Sequence, residues 1–78
     1  MNISSVSVFN SHTLSIQTEE GNNGLFDITP YLQYEAFNNL NNPDEFRKVR
    51  NGRYYIEWDC GADLSADTIE AHLILTNS

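Results

Sequence analysis

The chain has 78 residues, with 4 Lys+Arg against 11 Asp+Glu, a formal net charge of −7 and one cysteine. That length allows one small domain, residues 1–78, with a modest core; a lone cysteine excludes an internal disulfide. No apolar run approaches the roughly 18 residues of a membrane span, the start lacks the basic region of a signal peptide, and the aromatic content argues against disorder. The expectation is a soluble, cytoplasmic, acidic domain.

Along the chain, Ile3, Val6, Val8 and Phe9 mark a first strand over 3–9, and Asn10-Ser11-His12 reads as a turn. Residues 13–18 alternate, with Leu14 and Ile16 on one side, and 25–28 resume with Phe26 and Ile28. Three strands on short links predict an antiparallel meander. Thr29-Pro30 then opens a helix over 30–40, Thr29 as cap, with Leu32, Ala36, Phe37 and Leu40 as its apolar stripe. Asn42, Pro43 and Glu45 predict a second, short helix with a capping box that carries Phe46 into the core.

Asn51-Gly52 is the sharpest local signal, because both central residues of a type I′ turn need positive φ. It predicts a hairpin of 47–50 with 53–58 that faces Arg50 with Arg53, Val49 with Tyr54 and Lys48 with Tyr55. Alternation sends Val49, Tyr54, Ile56 and Trp58 to the core and Lys48, Arg50, Arg53, Tyr55 and Glu57 outward. A glycine-containing loop follows, and Ser65 caps a last helix that buries Ile69 and Leu73, with Ala66 and Leu75 nearby. The order βββα(α)ββα describes an α+β domain, helices packed on a small antiparallel sheet of about five strands.

Two constellations could carry chemistry. All four cations, Arg47, Lys48, Arg50 and Arg53, fall within seven positions, and the remainder of the chain carries all the carboxylates. Lys48, Arg50 and Arg53 beside Tyr55 combine charge with an aromatic surface, as single-stranded nucleic-acid and anion sites do. The competing reading is a solvated face neutralised by Glu57 and other acids, since three cations make a small footprint for phosphates. The second constellation is Trp58, Asp59, Cys60 and Asp63 ahead of a helix start. A nucleophilic Cys60 needs a neighbouring base or cation, and His12 and His72 are distant in sequence. The competing reading places Trp58 in the core and has Asp63 brace the loop. Asp27, at a strand end before Thr29-Pro30, reads as a backbone brace. No metal-ligand spacing, phosphate-binding glycine loop or hydrolase motif is present, so no metal, cofactor or enzymatic activity is expected.

Phe26-Asp27-Ile28-Thr29-Pro30-Tyr31-Leu32, then Phe37 and Leu40, Phe46 and Val49, and the run from Ile56 to Ser65 occur in a recognisable order. Together they resemble the small bacterial family known as domain of unknown function 2442, whose hallmark strand ending in Trp, turn with Gly, and Asp-Leu match Trp58, Gly61, Asp63 and Leu64. Members often carry Pro and Asn after the Trp, where this chain has Asp59 and Cys60. The resemblance implies an α+β domain with an antiparallel sheet and no established catalytic residues. It also implies a gene neighbour from another small family, the two forming a toxin–antitoxin pair. The resulting expectation is a non-enzymatic protein-binding module, antitoxin-like, whose acids steer a small basic partner encoded nearby. The alternative is a regulatory or sensing domain that holds a small anion or nucleic acid at the basic hairpin face. Direct nucleic-acid or membrane binding by the whole acidic molecule is not expected, and a homodimer is left open.

Overall fold

The computed structural model describes residues 1–76. Strands β1 (Ile3–Asn10), β2 (Thr13–Thr18) and β3 (Asn23–Asp27) form the antiparallel meander that alternation predicts. Leu14 faces Phe26 and Ile16 faces Gly24 across β2 and β3, and Leu14, Ile16 and Phe26 are buried. Gly24 is needed because the Leu73 side chain lies over it: a Cβ there would stand 2.6 Å from Leu73 Cγ.

After β3 the chain departs from expectation. In place of one α-helix over 30–40, two 3₁₀ segments form, Thr29–Tyr31 and Glu35–Asn41. Tyr31, Leu32 and Phe37 each donate their N–H to the carbonyl three residues back. A run with Pro30 and Asn38, Asn39 and Asn41 contributes too little helix propensity to lengthen these turns into an α-helix. Thr29 does not cap; Ile28 holds that position without a side-chain bond. The brace is Asp27, whose carboxylate accepts from the Thr29 N–H at 2.8 Å and the Thr29 hydroxyl at 2.6 Å, a local turn that aspartate favours. Leu40 is buried and Phe37 and Leu32 half-buried, whereas Ala36 is exposed.

Helix α1 (Pro43–Phe46) starts as expected: Asn42 Oδ1 accepts the Asp44 N–H at 2.9 Å, and Phe46 is buried. Glu45 forms no capping box and instead pairs with Lys48 at 3.2 Å.

A second sheet holds β4 (Arg50–Asn51), β5 (Tyr55–Glu57) and β6 (Asp63–Ser65) in that order. Its hairpin does not take the predicted register. Arg50 faces Glu57 and Asn51 faces Ile56, and the left-handed residue is Arg53, at φ 73, rather than Asn51 or Gly52. Long-range bonds select this longer loop. The Arg53 carbonyl accepts from the Ile3 N–H at 2.7 Å, and the Tyr54 carbonyl accepts from the Ala66 N–H at 2.8 Å. The Asn51 amide donates to the Ile3 carbonyl at 2.9 Å and accepts from the Arg53 N–H at 2.7 Å. Gly52 serves close approach, since a Cβ there would fall 2.3 Å from Tyr55 Cζ. The shift in pairing is even, so Ile56 and Trp58 keep their core face. Tyr54, expected inside, sits in the loop at 60% exposure.

Ser65 caps α2 (Ala66–His72) by accepting the Thr68 N–H at 3.2 Å. The helix ends at His72, and β7 (Ile74–Leu75) joins β3 to give the main-sheet order β1-β2-β3-β7. Leu75, expected on the helix's buried face, is therefore an exposed strand residue. The α+β class stands, with seven strands among the described residues divided between two antiparallel sheets, four of them in the main one. One apolar cluster joins both, from Ile3, Leu14, Ile16 and Phe26 to Phe46, Ile56, Trp58 and Ile69.

Candidate functional site

The hairpin that carries the cations is pinned at its tip, and each cation has a carboxylate partner. Arg50 faces Glu57 across the strands, at 3.4 Å, and also binds Asp59; the Asp59 hydrogen bond and charge hold its guanidinium above its ordinary pKa. Arg53 reaches Glu19 at 3.0 Å and lies over the Tyr54 ring, 5.4 Å from its centroid. Lys48 pairs with Glu45 at 3.2 Å and Arg47 with Asp44, both one helical step apart. All these groups are at least partly solvated, so the pairs contribute little to stability. Their effect is on the surface field, since no Lys or Arg is left uncompensated. Tyr55 is folded over Gly52 at 42% exposure, and the ring that Arg53 lies over is that of Tyr54.

The second constellation separates into unlike parts. Trp58 is core: its indole N–H donates to the Phe46 carbonyl at 2.9 Å, its ring stacks on Phe46 at 6.2 Å and meets Phe37 edge-on at 6.5 Å. The turn closes when Trp58 N–H donates to the Ala62 carbonyl and Gly61 N–H to the Trp58 carbonyl; Gly61 supplies φ +95. Asp59 is committed to Arg50. Cys60 is half-buried against the core, with no hydrogen bond to its thiol among the described residues. Asp63 braces no loop. It lies exposed in β6 directly opposite Glu57. The turn therefore holds Trp58, Asp59 and Cys60 with different partners, and Asp63 lies beyond it in β6. Among the described residues no three His, Cys, Asp or Glu side chains converge as metal ligands, and His12 stands at the β1–β2 turn while His72 ends α2.

The structure brings together a group that sequence spacing could not. A cleft of about 410 Å³ is lined by Met1, Thr18, Glu20, Asn22, Glu70, Leu73 and Leu75. The Met1 ammonium sits 2.9 Å from Glu70 Oε2, which raises its pKa. Glu20 is held below its ordinary value by its own backbone N–H and then by the Thr18 hydroxyl. These residues come from the first residue of the chain, the end of β2 and its following turn, α2, and the stretch from Leu73 into β7, so the pairing of β7 with β3 is needed to assemble them. The signal in the sequence was Leu75, read instead as part of the last helix's buried face.

No helix among the described residues is long and apolar enough to cross a membrane. Neither the curated proteins nor the solved structures contain a match to this chain. The family model described as "Protein of unknown function (DUF2442)" matches residues 3–74, nearly the whole chain, and the chain therefore belongs to that family.

Proposed function

We propose that this protein is a non-enzymatic binding module for a small basic protein partner, antitoxin-like in role and bacterial and cytoplasmic in setting. The observation that carries the reading is the charge pairing. Every Lys and Arg is matched to a carboxylate, while Glu20, Asp27, Glu35, Asp63 and Asp67 have no cationic side chain within ion-pair distance among the described residues. The unmatched field is anionic, and such a field steers a basic surface into encounter and raises the association rate. The same pairing weighs against an anion or nucleic-acid site at Lys48, Arg50, Arg53 and Tyr55, because a phosphate there would first have to displace carboxylates.

The test is co-expression with the product of the adjacent gene, followed by affinity capture and titration of the purified pair in low and high salt. Binding that weakens as salt rises supports the reading. No complex at low salt overturns it.

A further inference from the structure

Although β4 meets β1 at Ile3, no strand among the described residues pairs with the β1 edge of the main sheet. Its backbone polarity follows from the ladder on the other side of β2. Thr18 N–H donates to the Asn22 carbonyl and Ile28 N–H to the His12 carbonyl. With Ile16 opposite Gly24 and Leu14 opposite Phe26, the even-numbered residues of β2 therefore bond to β3. Ser15 and Gln17 are left for β1, where they face Ser7 and Ser5. Val6 and Val8 thus occupy the alternate positions, and their N–H and C=O groups point outward. Among the described residues the only residue of β1 whose backbone bonds beyond the sheet is Ile3, whose N–H meets the Arg53 carbonyl and whose carbonyl accepts from the Asn51 amide.

The side chains tell the same story. Val6 faces Ile16 and Val8 faces Leu14; the β2 residues are fully buried and the two valines only half-buried. The apolar row of the core face runs off the edge of the sheet. Two common protections of an edge strand, charge and proline, are missing here: residues 1–18 contain no Asp, Glu, Lys, Arg or Pro. Register irregularities flank Ser5 and Val8, leaving a regular stretch between them.

We propose that a second copy of this chain covers this edge, its β1 antiparallel to the first about a twofold axis at Ser7. A second copy is favoured over a basic partner because the strand is uncharged in a chain of net charge −7, so it offers nothing to a cation and no repulsion to itself. A twofold contact requires an antiparallel, self-complementary strand. In this register Val6 meets Val8 of the partner subunit with both sets of outward groups paired, and the two valine pairs form one continuous strip. Ser7 faces its own symmetry mate. The inference stands independently of the proposed basic partner, since it uses none of the carboxylates.

Sedimentation equilibrium of the full chain tests it, with Ser7→Glu, Ser7→Lys and an equimolar mixture of the two. Ser7 is exposed, so neither substitution disturbs the monomer fold. The wild type is expected to be dimeric at about 100 µM, in the weak range that a small interface allows. Each variant alone is expected to be monomeric, because like charges directly opposite repel, and the mixture is expected to recover the dimer. A wild type that stays monomeric, variants as dimeric as the wild type, or a mixture no more associated than its components would overturn the proposal.

Discussion

The two hairpins of this protein are built on opposite terms. In the β1–β2 hairpin, strict alternation over 13–18 and a short polar turn set the pairing with little help from the rest of the chain. Asn10 Oδ1 accepts the His12 N–H at 3.1 Å, and that bond is local and exposed. In the β4–β5 hairpin the stronger turn signal loses. Asn51 bonds across the molecule to Ile3, the loop carbonyls of Arg53 and Tyr54 accept from Ile3 and Ala66, and the register moves to suit them. The lesson is energetic. A type I′ preference is a small local term, while leaving several backbone groups unpaired where the sheets meet would cost about 1–3 kcal/mol each. The observed register also places Arg50 opposite Glu57 in place of Arg53, replacing a like-charge pair by an opposite one.

If the second hairpin depends on distant anchors, removing the largest should be the most damaging change. Trp58→Ala deletes the ring that stacks on Phe46 and the indole bond to its carbonyl. It is expected to cost about 3–5 kcal/mol, a large share of a small domain's stability, read as a fall in the urea midpoint. A loss below about 1 kcal/mol would break the comparison.

A finer probe sets the two turn asparagines against each other. Asn51→Ala removes two bonds, one of them partly buried and across the sheets, and is expected to cost about 1–3 kcal/mol. Asn10→Ala removes one exposed bond and should cost about 0.5 kcal/mol. Equal effects in parallel denaturation curves would show that both hairpins are locally determined.

The pH dependence sharpens the picture at the exit from the first sheet. The Thr29 hydroxyl, and next the Thr29 N–H, hold the Asp27 carboxyl below its ordinary 3.8. A carboxylate whose folded pKa is depressed contributes stability that is present above the ordinary value and lost as pH falls through the folded one. Thermal melts of Asp27→Asn should therefore lie below the wild type at neutral pH, and the gap should close in strong acid. A gap that widens toward acid would contradict this role. The smallest effect is expected at Arg47→Ala, whose pair with Asp44 is solvated on both sides; its denaturation midpoint should match the wild type within error.

These comparisons also define how far the sequence could be read. Period-two alternation and the Asn42 and Ser65 caps act over a few residues, so the meander, α1, the start of α2 and the core positions of Ile56 and Trp58 were legible. The basic cluster was legible as residue types, but its neutralisation was not, because Glu19 and Asp59 reach Arg53 and Arg50 only when the hairpin register is known. The 30–40 segment misled because its apolar spacing matches a helix, while its asparagines and proline favour turns.

By itself, then, the sequence determined the core positions of the meander and of Ile56 and Trp58, where α1 and α2 begin, and the sign of the net charge. Each of these depends on side-chain chemistry and near neighbours along the chain. Only the tertiary structure decided the register of the second hairpin, the strand made from Ile74-Leu75, and which carboxylate answers which cation. Those outcomes rest on backbone donors and acceptors meeting partners dozens of residues away, and on loop carbonyls that must find a donor once the two sheets close on their common core.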